Sequence, residues 1–302
     1  MEDKVAIITG ANSGIGYQTA LDLARRGATV VMACRSEERG EEARARLLAE
    51  APGSTALVLR LDLSEPDSVQ AFCREVEAQV GVIDLLVNNA GIVGVPLARN
   101  SVGHELQLAT NYLGPFALTC TLLPRFRPGA PTRIVNVGSL AHRLGKLRLD
   151  DFNWERSAYS TFGAYARSKL ALLAFTVELN RRLERRGGAT RALASHPGVA
   201  ATDIGRYHHL TNPRNRVGRW INERIAARIA SAAEAAGPTI HAACAEAVRG
   251  GDFFGPGGWL ELGGPVAPAR LSPLARDEEL GRRLWALSEA MTGVRFPASS
   301  AG

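Results

Sequence analysis

The sequence predicts a single-domain α/β protein over residues 1–302, built on a doubly wound parallel sheet of about seven strands with helices on both faces. Two observations predict this fold. Short β-branched runs alternate with longer helical patterns, and the runs are apolar throughout, as in strands that helices cover on both sides. Because crossovers between parallel strands are right-handed, the topology is restricted to the doubly wound type. Ligands of such sheets bind at the carboxyl ends of the strands.

Six strands are predicted in chain order. They are VAIIT from Val5, TVVMA from Thr29, ALVLR from Ala56, IDLLVN from Ile83, RIVNVGS from Arg133 and TRALASH from Thr190. The sequence of residues 203–235 has a weakly amphipathic helical pattern interrupted by TNP, so we expect an excursion from the sheet that acts as a substrate lid. In residues 276–293, one stripe of leucines predicts a C-terminal packing helix: Leu280, Leu284 and Leu287.

The composition favours a soluble protein that acts on small molecules. The chain is 46% hydrophobic and 22% charged, and no apolar run approaches the ~20 residues that a membrane span needs. The opening MEDKVAIITG has neither a basic leader nor an apolar signal region, so we expect a cytoplasmic protein without a membrane anchor. The net charge of +6 comes from arginines scattered over helical segments, which argues against a nucleic-acid surface.

The cysteines and histidines predict no disulfide and no metal site. The four cysteines form no CxxC and are expected to be small buried hydrophobes: Cys34, Cys73, Cys120 and Cys244. Three histidines match no standard ligand spacing: His208, His209 and His241. An arginine-rich run over residues 206–228 is most often a solvated face, and whether it also receives an acidic substrate stays open.

A glycine-rich turn follows the first predicted strand. The segment TGANSGIG places Gly10, Gly14 and Gly16 directly before a helical pattern. Glycines let the backbone turn sharply and approach a pyrophosphate, and a helix N-terminus offers unpaired N–H groups to the anion. Its position between strand and helix favours a dinucleotide-binding site over a merely tight turn.

The end of the second predicted strand indicates which dinucleotide binds. An acidic residue usually stands there in NAD-binding proteins, where it accepts from the ribose 2′-hydroxyl. This chain has Arg35 instead, and a guanidinium can bind a 2′-phosphate through paired, charge-assisted hydrogen bonds. We therefore expect NADP(H) rather than NAD(H). The alternative is that Arg35 is a surface arginine paired with Glu37 or Glu38.

Several motifs resemble the short-chain dehydrogenase/reductase family. They are TGxxxGIG from Thr9, NNAG at Asn88–Gly91, Ser139, YxxxK at Tyr165–Lys169 and PGVAAT at Pro197–Thr202. They occur in order within residues 4–202. The resemblance implies a Rossmann-type fold and an oxidoreductase that acts on carbonyl or alcohol substrates with a nicotinamide cofactor.

The same resemblance implies a set of cofactor contacts. Asp62 matches the residue that usually meets the adenine, and Thr202 matches one that usually lies against the nicotinamide. The implied set is Gly10, Asn12, Ser13, Gly14, Ile15, Gly16, Arg35, Asp62, Leu63, Asn89, Ala90, Gly91, Tyr165, Lys169, Pro197, Gly198 and Thr202.

Four residues are expected to carry the chemistry. Tyr165 and Lys169 lie four apart in FGAYARSKLALLAF, on one face of a helix, so they can meet the same ligand. The ammonium of Lys169 favours the phenolate of Tyr165, which suits this tyrosine to be the proton donor or acceptor. Ser139 is placed at the end of the fifth strand, to hold the substrate oxygen. Asn111 matches the family's catalytic asparagine and is expected to support a water relay to Lys169.

Within the family, MACRSEERGEEA, the HPG at His196–Gly198 and the late helix most resemble the retinol dehydrogenase-like branch, which is similar to the light-dependent protochlorophyllide reductases. A first alternative is therefore reduction of a conjugated or pigment double bond. A second alternative is a noncatalytic NADP(H)-binding regulator, which could dispense with Tyr165 and Ser139. The substrate, its stereochemistry and the direction of reaction are not predicted.

The interval from Ser139 to Tyr165 is longer than is common in the family. It contains Trp154 and Tyr159, followed by Phe162 at the start of the next helix, and these aromatic residues are expected to wall the substrate pocket. An insertion here can block the usual helix-to-helix dimer, so the sequence leaves open whether the chain forms a homo-oligomer.

Overall fold

Residues 1–198 and 230–297 are described by a computed structural model. In these ranges eight strands form one sheet in the order β3-β2-β1-β4-β5-β6-β7-β8. The strands are β1 (Val5–Thr9), β2 (Thr29–Cys34), β3 (Thr55–Arg60), β4 (Leu85–Asn88), β5 (Arg133–Val137), β6 (Arg191–Ser195), β7 (Phe253–Pro256) and β8 (Val266–Pro268). The first seven strands pair in parallel. The doubly wound α/β prediction is therefore confirmed, and so are its six strands.

The eighth strand departs from the predicted all-parallel sheet. β8 pairs antiparallel with β7, and Gly257 N donates to Pro265 O at 2.6 Å where the chain turns back. The connection over residues 257–265 is shorter than the dozen or so residues that a parallel crossover needs, so the chain returns as a hairpin.

The helices occupy both faces of the sheet. They are α1 (Gly14–Arg25), α2 (Glu37–Glu50), α3 (Pro66–Gln79), α4 (Leu106–Leu108), α5 (Gly114–Leu122), α6 (Thr161–Arg185), α7 (Ala232–Cys244), α8 (Pro273–Arg276) and α9 (Glu278–Thr292). Alternate residues of each strand face opposite layers, so Ile7 and Val31 join one apolar core while Ile8 and Val30 join the other. Three of the four cysteines are buried, as expected of small hydrophobes: Cys34, Cys73 and Cys120.

Most of the predicted lid lies outside the described residues. This holds for residues 203–229, which include the arginine-rich run, His208 and His209. The last part of the predicted lid belongs to a regular helix, because Ser231 caps α7 through a reciprocal capping box with Glu234. No helix among residues 1–198 and 230–297 has the length and apolar character to span a bilayer.

The C-terminal helix α9 has a residue with a defined role at each end. Asp277 caps α9 by accepting from Leu280 N, and Gly293 ends it in the left-handed region at φ 69°. Leu284 is buried, while Leu280 and Leu287 are only half-buried. The centre of the contact is Trp285, which the leucine stripe did not include.

Trp285 joins α9 to the core. Its ring lies 5.1 Å from that of Phe116 and 5.6 Å from that of Phe175. Beside it, the hydroxyls of Tyr112 and Ser288 are 2.6 Å apart and fully buried. These contacts tie α9 to α5, α6 and the turn that precedes α5.

Replacing Trp285 by alanine is expected to lower the free energy of unfolding by about 3–5 kcal/mol, because a large aromatic side chain leaves a cavity in a packed layer. Urea denaturation followed by circular dichroism measures the change. Leu274→Ala is the control, since this leucine is 43% exposed. Equal losses in the two variants would contradict the described packing of α9.

Candidate active site

The glycine-rich turn has the geometry of an anion cradle. Gly10 and Gly14 have φ of 67° and 56°, which only glycine adopts without strain. A Cβ added to Gly16 would lie 2.3 Å from the carbonyl oxygen of Gly10, so the helix approaches the preceding strand too closely for any side chain. α1 begins at Gly14, so the positive end of its helix dipole lies at this turn.

A cavity of about 410 Å³ opens over this turn, at the carboxyl ends of β1 and β4. The strand order reverses between these two strands, which is where doubly wound sheets bind ligands. Its lining includes twelve members of the predicted cofactor set: Gly10, Asn12, Ser13, Gly14, Ile15, Gly16, Arg35, Asp62, Leu63, Asn89, Ala90 and Gly91. The other lining residues, among them Thr9, Ile92 and Val93, were not predicted.

Thr9 holds the floor of the cavity together. Its hydroxyl accepts from the backbone N–H groups of Asn89 and Ala90, each at 3.0 Å, and Asn89 Nδ2 donates to the Thr9 carbonyl at 2.8 Å. The two strands are thereby locked at the point where they separate. Thr9 was not among the predicted site residues, although a threonine that ends an apolar strand before a glycine turn was a usable signal.

The rim of the cavity contains an arginine and an aspartate with different surroundings. The carboxylate of Asp62 accepts from the backbone N–H and the hydroxyl of Ser64, at 2.9 and 2.6 Å. The Arg35 guanidinium is exposed and makes no ion pair or hydrogen bond with any residue of the described ranges. The alternative pairing with Glu37 or Glu38 is therefore not formed.

Asn111 lies in a π-helical turn, Ala109–Leu113, between α4 and α5. Such turns are rare interruptions of an α-helix and are frequent at functional sites. The Asn111 side chain is fully buried and exchanges two hydrogen bonds with the backbone of Ile92, at 2.8 and 2.9 Å. Its Nδ2 also donates to Ser168 Oγ at 3.0 Å. The amide thus ties the wall of the cavity to α6.

Lys169 is a buried ammonium at the junction of the sheet and α6. It is 4% exposed, and its Nζ donates to the carbonyl oxygen of Val137 at 2.8 Å. A Cβ placed on Gly91 would lie 3.3 Å from this Nζ and 3.2 Å from Asn111 Oδ1. Both polar side chains therefore converge on the cavity wall. A buried ammonium is costly unless it is hydrogen-bonded and compensated, so a buried lysine beside a cavity is a candidate functional residue.

Tyr165 lies one turn before Lys169 on α6 and is 7% exposed. It belongs to a small apolar group with Val93 of the cavity lining and with Ala141, two residues after Ser139. These contacts bring the tyrosine, the lysine and the serine turn to one edge of the sheet.

Ser139 does not end the fifth strand as predicted. β5 ends at Val137, and Ser139 lies two residues later, where it precedes the 3₁₀ turn Leu140–Leu144. Its Oγ accepts from Ala141 N at 3.2 Å, so the serine also caps this turn. The hydroxyl proton stays available to a ligand, because the cap uses only an acceptor lone pair.

The turn after β6 carries the last predicted cofactor residues. Pro197 and Gly198 follow His196, and Gly198 has a left-handed φ of 71°. A Cβ at Gly198 would lie 2.6 Å from the carbonyl oxygen of Leu262, which fixes this turn against the loop after β7. Thr202 lies outside the described residues.

The three aromatic residues between Ser139 and Tyr165 make different contacts. Trp154 is 8% exposed and its ring packs 5.4 Å from that of Tyr159. The Tyr159 hydroxyl donates to the buried carboxylate of Glu105 at 2.9 Å. Phe162 is partly buried and packs against the apolar group that contains Tyr165. Trp154 and Tyr159, by contrast, contact each other and Glu105.

The sequence profile of the short chain dehydrogenase family matches residues 4–212, more than two thirds of the chain. The chain belongs to the short-chain dehydrogenase family. The family resemblance of the motifs is therefore confirmed. The members of this family are oxidoreductases.

Relatives place this dehydrogenase in the retinol dehydrogenase-like branch. Human retinol dehydrogenase 13 is 39% identical to it over 302 residues, covering 98% of this chain and 86% of the relative. Bovine retinol dehydrogenase 12 is 37% identical over 295 residues, covering 97% of this chain and 87% of the relative.

Solved structures share the fold of this dehydrogenase. An uncharacterized protein from Mycobacterium paratuberculosis has a TM-score of 0.80 and 39% identity, with 98% of this chain and 96% of that chain covered. A blue fluorescent protein from a metagenomic library, solved in complex with NADPH, has a TM-score of 0.61 and 27% identity. That comparison covers 83% of this chain and 95% of the other.

Proposed function

We propose that this chain is an NADP(H)-dependent oxidoreductase that transfers a hydride between the nicotinamide C4 and a ketone, an aldehyde or an alcohol. The observation that carries the proposal is the buried ammonium of Lys169, which lies between the end of β5 and Gly91 of the dinucleotide cavity. Tyr165, one turn away on the same helix, is then next to both the cofactor and the substrate.

The residues of the cavity suit a dinucleotide. Its floor is a turn of left-handed glycines over a helix N-terminus, and Gly16 leaves no space for a side chain against Gly10. NADP(H) supplies or accepts the hydride when it is bound. The protein supplies the remaining contributions, which are orientation, a proton and stabilisation of charge on the substrate oxygen.

Each site residue has a distinct task in the proposed reaction. In the reductive direction the Tyr165 hydroxyl protonates the carbonyl oxygen, and the phenolate that forms is stabilised by the neighbouring Lys169 ammonium. The Ser139 hydroxyl donates to the same oxygen and orients it. Asn111 holds Ile92 and Ser168 in place, so it fixes the cavity wall against α6. In the oxidative direction the proton moves back from the alcohol to Tyr165.

The preference for NADP(H) is proposed from Arg35. Its guanidinium lines the cavity, is exposed and has no anionic partner among the described residues, so a 2′-phosphate can take both of its paired donors. The NADPH complex of the 27% identical fluorescent protein supports the same choice. No carboxylate stands at the corresponding end of β2 to accept from a 2′-hydroxyl.

Arg35→Ala is expected to weaken NADPH binding about ten- to a hundredfold, the loss of one charge-assisted contact, while NADH binding stays within about twofold. Titration of each nucleotide by fluorescence measures both affinities. Arg74→Ala on α3 is the matched control, since Arg74 is exposed and lies outside the cavity. A wild-type preference for NADH, or equal losses for the two nucleotides, would refute the assignment.

A substrate panel tests the reaction class. Aldehydes, ketones and secondary alcohols, with retinaldehyde included because the relatives are named retinol dehydrogenases, are incubated with NADPH or NADP⁺ while nicotinamide absorbance is followed. We expect turnover of at least one carbonyl. Tight NADPH binding without turnover of any member would instead support a noncatalytic NADP(H)-binding regulator.

A further inference from the structure

Two consecutive residues of the loop after β7 hold a strained backbone. Leu260 and Glu261 have φ of 52° and 59°, in the left-handed region that is unfavourable for residues other than glycine. Trp259 and Leu260 are 64% and 60% exposed, whereas the side chain of Glu261 is only 15% exposed. The strain thus turns one carboxylate inward from an otherwise exposed loop.

The Glu261 carboxylate is held by three donors from different parts of the chain. Its Oε2 accepts from Arg143 Nη2 at 2.6 Å and from His196 Nε2 at 3.0 Å. Its Oε1 accepts from the backbone N–H of Arg270 at 3.2 Å. Arg143 and His196 are the donors that lead to the proposed active site.

His196 connects Glu261 to the Pro197–Gly198 turn through hydrogen bonds at both of its ring nitrogens. The ring is fully buried, and its Nδ1 accepts from Gly198 N at 3.1 Å, so the ring proton lies on Nε2 and faces Glu261. Burial lowers the pKa of His196 to about 4, against the opposing effect of Glu261, so the ring is neutral at pH 7. A Cβ on Gly255 would lie 1.9 Å from Nε2, which shows how tightly the ring is enclosed.

Arg143 connects Glu261 to the turn that follows Ser139. It lies in the 3₁₀ turn Leu140–Leu144 that Ser139 caps. The neighbouring His142 is fully buried, with Nδ1 at 2.6 Å from the carbonyl oxygen of Ser139 and Nε2 accepting from Ser272 N at 3.2 Å. Arg143 also donates to the carbonyl oxygen of Arg270 at 3.2 Å. The serine turn is therefore hydrogen-bonded to the segment after β8. The same segment donates to the Glu261 carboxylate through Arg270 N.

We propose that Glu261 is a positioning residue that fixes the Ser139 turn and the Pro197–Gly198 turn relative to each other. The inference rests on the proposed function, in which the serine orients the substrate oxygen, and on the expected cofactor contacts of Pro197 and Gly198. Relative displacement of these two turns changes the distance over which hydride moves. A misplacement of about 1 Å is enough to lower a rate of this kind by about two orders of magnitude.

Glu261→Gln and Glu261→Gly test the proposal. Glutamine keeps an acceptor for His196 but removes the charge that pairs with Arg143 and points an amide group at the N–H of Arg270. Glycine removes the whole side chain and relieves the left-handed strain, so this variant is expected to fold. Glu178→Gln is the matched control, because Glu178 is 1% exposed and pairs with Arg181 and Arg182 on α6.

Two readouts separate positioning from stability. We expect Glu261→Gly to lower kcat at least tenfold with the carbonyl KM within about threefold, and to raise the isotope effect measured with NADPH deuterated at C4, since hydride transfer becomes rate-limiting. We also expect its NADPH dissociation constant to rise about three- to tenfold, with Glu261→Gln between this variant and wild type. Glu178→Gln is expected to change the melting temperature alone.

The outcomes distinguish the two proposals. Glu261 variants with wild-type kcat, isotope effect and NADPH affinity would overturn the positioning role and leave the proposed function standing. A wild-type protein that binds NADPH but reduces no carbonyl would overturn the proposed function. The positioning role of Glu261 would then be tested by NADPH binding alone, and an unchanged NADPH dissociation constant in Glu261→Gly would reject it. A lower melting temperature of the Glu261 variants, with kcat, isotope effect and NADPH affinity unchanged, would also reject the positioning role.

Discussion

Tyr165→Phe is expected to lower kcat by at least about two orders of magnitude while leaving NADPH affinity within about twofold of wild type. The variant removes one hydroxyl, and with it the proton donor to the substrate oxygen. The ring still packs with Val93 and Ala141, so the site keeps its shape. An effect confined to kcat is the signature of an interaction made in the transition state.

Steady-state kinetics on the best substrate of the panel and nucleotide titration measure the two quantities. Tyr159→Phe is the matched control, the same substitution six residues earlier in the chain. Burial raises the pKa of Tyr159, whose hydroxyl is engaged by Glu105 and Gln107. We expect this control to lose stability and keep kcat. A Tyr165→Phe enzyme with normal turnover would remove the tyrosine from the mechanism.

Gly16→Ala is expected to weaken NADPH binding more than tenfold and to lower the free energy of unfolding by about 1–3 kcal/mol, the usual range for overpacking. The added Cβ would lie 2.3 Å from the Gly10 carbonyl oxygen and 2.5 Å from Asn89 Nδ2. Neither atom is the end of a flexible side chain on the surface. The glycine turn must therefore move, and the cofactor cradle moves with it.

Urea denaturation and NADPH titration of the same preparation check both parts. Gly188→Ala is the control, because a Cβ there has no neighbour within 4 Å and its φ is not left-handed. If Gly16→Ala bound NADPH as tightly as this control, the glycine turn could not be the pyrophosphate site.

The fold was predictable where local pattern determines structure. β1, β2, β4, β5 and β6 are largely buried runs bounded by polar residues, and their apolar character identifies them as covered parallel strands. β3 lies at the edge of the sheet and is less buried. Neither β7 nor β8 was located from the sequence: both are short and contain proline, and β8 is a three-residue edge strand. The end of β5 was predicted two residues too late, at Ser139 instead of Val137, because the end of a strand depends on its pairing with neighbouring strands.

The site was predictable to the extent that its residues lie in short motifs. The glycine turn and the pair Tyr165 and Lys169 are recognised by spacing, and the structure brings both to one edge of the sheet. Their catalytic roles and the NADP(H) preference remain predictions. Glu261 could not be found this way, because it meets Arg143 and His196 from 118 and 65 positions away. Only the fold brings these three residues together.

The most direct test of the central claim uses NADPH that carries deuterium at both C4 positions of the nicotinamide and follows the label into the product of a carbonyl reduction. Mass spectrometry of the alcohol reports whether the label has moved. We predict a product one mass unit heavier with wild-type protein and almost none with Tyr165→Phe. An alcohol that forms without the label, or saturating NADPH that labels no carbonyl of the panel, would contradict hydride transfer at this site.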